Sequence, residues 1–188
     1  MSIFDSYINQ IDTTFWHDLC ESQGRTLHYK KGDYFARAEE ISRHMGLVKQ
    51  GYFKYTVTDT SGNEHISGFS FAGTFIGDYL SVTRKFPCTN DIVAVTDAEV
   101  LTIDCHTLND ALRTNIPRHL QVADALFHQA YNTYLDMHRL SPKERYMALL
   151  KCDPNILQNI SLKELASYLN ITPTHFSRIR KEITFNQE

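Results

Sequence analysis

The sequence lacks the features that mark several large classes of protein. Its 188 residues include only four cysteines, which lie far apart: Cys20, Cys88, Cys105 and Cys152. Without a CxxC pair, the usual signature of zinc ribbons, iron–sulfur sites and thioredoxin-like enzymes is absent. No apolar run approaches the roughly 20 residues of a membrane span, and the N-terminal segment shows no export signal. We therefore expect a cytoplasmic protein with reduced, mostly buried thiols; a redox-sensing cysteine pair is the alternative.

The few glycines and prolines divide the chain into two parts. All eight glycines lie within the first 77 residues, and all five prolines follow them. Glycines at this spacing indicate repeated chain reversals, and the runs between them are rich in β-branched and aromatic residues. These runs and their continuation predict strands at 26–29, 34–36, 45–48, 52–58, 65–71, 92–95 and 99–103. So many short strands are typical of a sandwich, barrel or roll.

Beyond residue 104 the sequence favours helices. Pro117, Pro142 and Pro173 stand where helices are expected to begin. Ser141 and Ser161 are each followed three residues later by a glutamate, which is the pattern of a capping box. The sequence thus predicts an α+β chain in three segments: a β-rich domain with a short N-terminal helix at 1–115, a long helix at 116–138 and a helical domain at 139–188.

The long helix carries two apolar stripes. One is a seam whose members are spaced alternately three and four residues apart: Leu120, Ala123, Phe127, Ala130, Tyr134 and Met137. The second stripe includes Val122 and Leu126. Two stripes need two covering surfaces, so we expect one to pack on the β domain and the seam to form a homodimer. A single buried helix with a broad core face is the alternative.

Charge is distributed unevenly, and the positive part contains the strongest local signal. Residues 139–188 contain eight Lys/Arg and five Asp/Glu, a charge of +3, which leaves −6 for residues 1–138. Within the positive part, residues 161–168 show helical apolar spacing, 170–172 form a break, and Thr172 with Pro173 begins a second helix. Asn170 tolerates the left-handed conformation that a tight turn requires. This spacing predicts a helix-turn-helix and an anionic partner.

The outward face of the second helix carries donor side chains suited to DNA. The predicted DNA-binding residues are Thr172, Thr174, His175, Ser177, Arg178, Arg180 and Lys181. We expect Arg178 to reach base edges in the major groove, and Arg180 and Lys181 to contact phosphates. No acidic residue is expected on this face. The alternative is an ordinary helix corner with a solvated basic face.

The order of these features resembles the CRP/FNR superfamily of bacterial transcription regulators. The similar motifs extend along almost the whole chain and include Lys30-Lys31-Gly32-Asp33, Val48-Lys49-Gln50-Gly51, Phe75-Ile76-Gly77-Asp78, Ser141-Pro142-Lys143-Glu144 and Ile171-Thr172-Pro173. The resemblance implies a double-stranded β-helix, or jelly-roll, domain of the cyclic nucleotide-binding type, a dimerisation helix and a C-terminal, winged-helix-like helix-turn-helix domain. It also implies a regulator, not an enzyme, that binds near-palindromic double-stranded DNA as a homodimer and contacts RNA polymerase.

The effector pocket that the resemblance implies departs from the pattern of cyclic-nucleotide binders. Its residues here would be Phe75, Gly77, Asp78, Cys88 and Thr89. Cyclic-nucleotide binders of this superfamily hold the cyclic phosphate with an arginine at the position of Cys88, and Arg84 is expected in a loop at the wrong spacing. A buried phosphate without such a cation is poorly compensated. Cyclic AMP is therefore disfavoured, and so is the iron–sulfur cluster of related sensors, because only Cys20 lies near the N-terminus.

The remaining alternatives involve haem, a metal or a different kind of partner. A haem-sensing branch exists in this superfamily, and His28, His44, His65 or His106 could supply an axial ligand, but their spacing selects none. A cupin-like metalloenzyme on the same β-roll would need a His-x-His pattern and a following glutamate. We predict no catalytic residue and no metal site, and the sequence identifies no effector. A non-DNA interaction module is the last alternative.

Overall fold

Eight short strands lie between residues 25 and 104, and the described residues that follow them are mainly helical. The structure is a computed structural model that describes residues 14–152 and 156–185. The strands are β1 (Arg25–Tyr29), β2 (Tyr34–Ala36), β3 (His44–Gln50), β4 (Tyr52–Thr58), β5 (Glu64–Phe71), β6 (Phe75–Ile76), β7 (Asp91–Ala94) and β8 (Ala98–Asp104). The helices are α1 (Thr14–Gln23), α2 (Tyr79–Arg84), α3 (Cys105–Arg113), α4 (Ile116–Arg139), α5 (Pro142–Cys152), α6 (Ile156–Asn159), α7 (Leu162–Tyr168) and α8 (Pro173–Phe185). Every predicted strand is present within two residues of its predicted bounds, whereas β6 and α2 were not predicted.

The strands form two antiparallel four-stranded sheets. Their orders are β1-β8-β3-β6 and β2-β7-β4-β5. The hairpin of β4 and β5 joins strands that are consecutive in sequence, whereas the other neighbouring strands are not consecutive. Buried side chains from both sheets form one core, which includes Phe35, Val48, Phe53, Ile92 and Val100. This arrangement confirms the predicted β-roll and α+β class.

A second core lies on the other face of the β1-β8-β3-β6 sheet. Leu47 of β3 and Leu101 and Ile103 of β8 supply its sheet side. Helices α1 and α3 cover these residues with Trp16, Leu19, Leu108 and Leu112, and Val122 of α4 packs against the same cluster. The sheet is therefore buried on both faces, and the start of α4 is fixed on the β-roll by the apolar stripe that contains Val122.

The predicted seam of α4 is exposed. Its larger members are 58% exposed at Leu120, 65% at Phe127, 54% at Tyr134 and 54% at Met137. Ala123 is half-buried and Ala130 is exposed. This exposure contradicts the alternative of a single helix with one broad buried face. The stripe that contains Val122 packs on the β domain as expected, and the homodimer through the seam stays a prediction.

The described residues form two compact units. One ends at Gln129 and the other begins at Ala130, so the boundary falls inside α4. Residues 105–152 and 156–185 contain helices and no strand. No β-hairpin that could serve as a wing is found among these described residues, so the winged-helix character stays a prediction. Among the described residues, no helix is long and apolar enough to span a membrane.

We predict that Gly77→Ala destabilises the β-roll more than Gly73→Ala does. Both glycines have positive φ, 144° and 86°, so both variants carry a backbone penalty of about 1–2 kcal/mol. Only at Gly77 would the new Cβ overlap a neighbour, at 2.6 Å from Cγ of Met45, whereas the space at Gly73 is open. The overlap should add roughly 1–3 kcal/mol to the loss in free energy of unfolding measured in urea. Equal losses of unfolding free energy in the two variants would show that Met45 does not limit the space for a side chain at residue 77.

Candidate nucleic-acid interface and effector site

Helices α7 and α8 are joined by a tight turn whose hydrogen bonds are complete. Ser161 and Glu164 form a reciprocal capping box at the start of α7. At its end, the N–H of Ile171 donates to the carbonyl of Ala166 at 3.0 Å, and the N–H of Asn170 donates to that of Ser167 at 2.9 Å. This pair of bonds is a Schellman motif, with Asn170 left-handed at φ 56°. Local sequence thus terminates α7 and redirects the chain, as the break at 170–172 predicts.

The start of α8 is capped and its inner face is packed. The hydroxyl of Thr172 accepts from the N–H of His175 at 3.2 Å, as expected of an N-cap. Phe176 and Ile179 are 1% and 5% exposed, and the ring of Phe176 meets that of Tyr146 on α5 edge-on at 4.8 Å between centroids. The orientation of α8 is therefore set by aromatic packing within this unit.

Five of the predicted DNA-binding side chains form one exposed surface of α8, which we call the α8 row. Its members are all exposed, and they are Thr174, His175, Ser177, Arg178 and Lys181. The guanidinium of Arg178 and the ammonium of Lys181 make no ion pair or hydrogen bond within the described residues. Both cations are therefore available to an anionic partner. Thr172 is exposed as well, but its hydroxyl is used as the cap.

Arg180 differs from the α8 row. It is half-buried, and its guanidinium hydrogen-bonds the hydroxyl of Tyr146. Burial raises the pKa of Tyr146, and the charge and hydrogen bond of Arg180 partly oppose that rise. The contact assigns Arg180 first to the packing of α8 against α5, and its predicted phosphate contact stays a prediction.

Two residues near this surface were missed by the sequence reasoning. Glu182 follows Arg178 by one turn, so the face is not free of acids; its carboxylate pairs with Nζ of Lys143 on α5 at 3.1 Å. Arg145, also on α5, donates through Nη2 to the carbonyl of Leu169 at 2.7 Å and so holds the end of α7. The spacing of four residues from Arg178 could have placed Glu182 on this face. Its ion pair with Lys143 and the bond of Arg145 to Leu169 leave no local pattern, because each joins elements far apart in sequence.

The predicted effector residues of the β-roll are brought together only in part. The carboxylate of Asp78 caps α2 by accepting from the N–H of Ser81 at 2.9 Å, and it also accepts from the N–H of Thr89 at 3.4 Å. Cys88 is 1% exposed, and the N–H of Gly77 donates to the hydroxyl of Tyr55 at 3.3 Å. The backbone N–H groups of Ser81 and Thr89 are therefore already bonded to the carboxylate of Asp78.

Two expectations about this region need correction. Phe75 does not share the core of the roll, because the alternation of β6 sends Ile76 into that core and Phe75 into the helix-covered cluster. Arg84 is not in a loop, since it lies in the last turn of α2. The sequence reasoning overlooked α2 because it is short and lies between the predicted strands.

The described histidines and cysteines that the sequence reasoning considered are not gathered into one ligand set. His65 is 2.9 Å from the carboxylate of Asp59, and His44 packs edge-on against Phe35 at 4.6 Å. No three His, Cys, Asp or Glu side chains of the described residues are grouped as a metal site would require. Cys20 and Cys88 are buried free thiols, and burial raises the pKa of Cys20 to about 11, which disfavours a reactive thiolate. The side chain of Cys152 lies outside the described residues.

Comparison with known proteins finds a similar fold in several solved structures of low sequence identity. Residues 26–115 match the cyclic nucleotide-binding domain family. FixK2 from Bradyrhizobium japonicum superposes with a TM-score of 0.73 at 18% identity over 87% of this chain and 86% of its own. CLP of Xanthomonas campestris, a c-di-GMP responsive global regulator, gives 0.64 at 14% over 94% and 93%. The catabolite activator protein of Thermus thermophilus gives 0.57 at 20% over 91% and 83%. No curated protein matches in sequence.

We predict that cyclic AMP does not bind this chain appreciably. The phosphate would lack the arginine replaced by Cys88 and would face the carboxylate of Asp78, which already uses the nearby N–H groups of Ser81 and Thr89. Isothermal titration calorimetry should therefore show no specific heat. A micromolar dissociation constant for cyclic AMP would contradict this prediction. If that binding were then lost in Arg84→Gln, Arg84 would be the residue that holds the phosphate.

Proposed function

We propose that this chain is a transcription regulator of the CRP/FNR type that binds double-stranded DNA as a homodimer. The observation that carries the proposal is the α8 row, where two unpaired cations and several short donors share one exposed helix face. The family resemblance further suggests RNA polymerase as a partner and the cytoplasm as the location. Activation and repression are equally compatible with this proposal.

The chemistry of the α8 row suits the major groove of DNA. An α-helix fits into the major groove of DNA. Arg178 lies near the middle of α8, where its guanidinium can donate to O6 and N7 of guanine. Lys181 lies one turn later with a flexible ammonium that suits phosphate. Thr174, His175 and Ser177 add short donors to either target. The row therefore offers both base readout and backbone positioning.

A homodimer through α4 would present two such rows. The seam exposes Leu120, Phe127, Tyr134 and Met137 on one helix face, while Val122 and Ala125 on another face are packed within their own chain. A contiguous apolar face of this length on a surface helix is covered most simply by the same face of a second copy, which gives twofold symmetry. A twofold pair of α8 helices then matches a near-palindromic operator.

Phe127→Asp should convert the protein to a monomer. The substitution places an unpaired carboxylate at the centre of the seam, where burial in a dimer would be strongly unfavourable. Gln121→Asp is the matched control, because it adds the same charge to an exposed position of α4 that is not part of the seam. Light scattering should report a dimer for the wild type and for Gln121→Asp. A monomeric wild type at tens of micromolar would refute the proposed interface.

Arg178→Ala and Lys181→Ala should weaken DNA binding in different ways. On an operator selected from random duplexes, Arg178→Ala should cost roughly 1–3 kcal/mol and relax the preference at one base pair. Lys181→Ala should weaken all sequences alike and reduce the slope of log affinity against log salt by about one unit. Fluorescence anisotropy over a salt series separates the two effects.

Two outcomes would count against these roles. Equal losses from both variants on operator and random DNA would show that Arg178 contacts only phosphate. Failure of the selection to enrich any near-palindrome would remove the proposed function itself. Lys151→Ala is a suitable control, because Lys151 is an exposed cation of α5 outside the α8 row.

A further inference from the structure

The N-terminal unit contains a cleft where β1, β3 and β8 meet α2 and α3. Its volume is about 440 Å³, within the range of small-molecule sites. Three cations line it from three different places in the sequence: Arg25 on β1, Arg43 just before β3 and Lys85 at the end of α2. This basic cleft does not include the predicted effector residues around Gly77 and Asp78.

The cations of the basic cleft have no anionic partner. Within the described residues, the side chains of Arg25, Arg43 and Lys85 make no ion pair and no hydrogen bond. Asp104 is the one carboxylate among the lining residues. Its oxygens accept from the N–H groups of His106 and Thr107 at the start of α3, and bonds from the backbone and hydroxyl of Thr107 lower its pKa. The cleft therefore carries excess positive charge that the protein does not neutralise.

The wall of the basic cleft is held by a buried hydrogen bond. Ser81 of α2 is fully buried, and its hydroxyl oxygen accepts from the N–H of Ser42 at 2.7 Å. Both residues line the cleft. The bond joins the segment that carries Arg43 to the helix that ends at Lys85, so two of the cations lie on elements that are bonded to each other.

We propose that the basic cleft binds a small, multiply charged oxyanion: a metabolite that carries a phosphate or pyrophosphate group. Guanidinium groups and an ammonium that converge on a concave site suit the oxygens of such a group. The volume of the cleft suits a compact oxyanion that can enter it better than it suits the carboxylates of a protein surface. If the proposed function holds, this ligand is an effector of the regulator. The binding itself is independent of DNA.

Calorimetry of the full chain with pyrophosphate at low ionic strength tests the proposal. We expect one site per chain, with affinity reduced about tenfold in Arg43→Gln and in Lys85→Gln, because each variant removes one charge-assisted contact. Lys31→Gln is the matched control: it removes an exposed cation of the β1–β2 turn that does not line the cleft, and it should bind like the wild type. Adenosine diphosphate in place of pyrophosphate tests whether a nucleoside adds affinity.

Three results would overturn the proposal. The first is no saturable binding of pyrophosphate by the wild type, and the second is an equal loss in Lys31→Gln, which would indicate unspecific attraction. The third is tighter binding of a hexaglutamate peptide with the same dependence on Arg43 and Lys85, which would make the cleft a docking surface for an acidic protein. Arg178→Ala should leave pyrophosphate binding unchanged, so that failure here is distinguishable from failure of DNA binding.

Discussion

Both faces of the β1-β8-β3-β6 sheet are apolar, and the two cores of the N-terminal unit exist because each face must be covered. Along β8, Val100 enters the core between the sheets, whereas Leu101 and Ile103 face the helices. Since side chains alternate along a strand, a shift of one residue between β3 and β8 would exchange the two cores. Gly46 permits β3 and β8 to approach closely at this register, because a Cβ there would lie 2.6 Å from Cγ1 of Val100. The sheet thereby fixes where α1, α3 and the start of α4 can pack.

The exposed seam of α4 follows from that constraint. A helix that covers a sheet presents only part of its circumference to it, and Val122 and Ala125 occupy that part. Phe127, on the remaining circumference, is 65% exposed. In the C-terminal unit, the packing of Phe176 against Tyr146 orients α8. The proposed dimer would cover the seam and bring two α8 rows into one assembly.

Local signals in the sequence predicted the elements well, and contacts between distant residues were the part that could not be predicted. Capping residues such as Ser161 and Asn170 act within one turn of the chain, so their roles were readable and are present. Arg145, which bonds the carbonyl of Leu169, acts across a gap that no periodicity reveals. Phe75 was assigned to the wrong side because β6 is only two residues long and carries no readable alternation. The basic cleft was invisible for the same reason, as its cations come from separate elements.

The central claim is that two α8 helices, held by α4, read two half-sites one helical turn apart. Binding to the selected operator should therefore depend on whether its two half-sites lie on the same side of the duplex. Insertion of about five base pairs, half a turn, between the half-sites turns one of them to the opposite side of the duplex. The measurement is the affinity of the intact dimer for the original and the lengthened operator at one salt concentration. The account predicts that the lengthened operator binds no better than a single half-site, and unchanged affinity would contradict it.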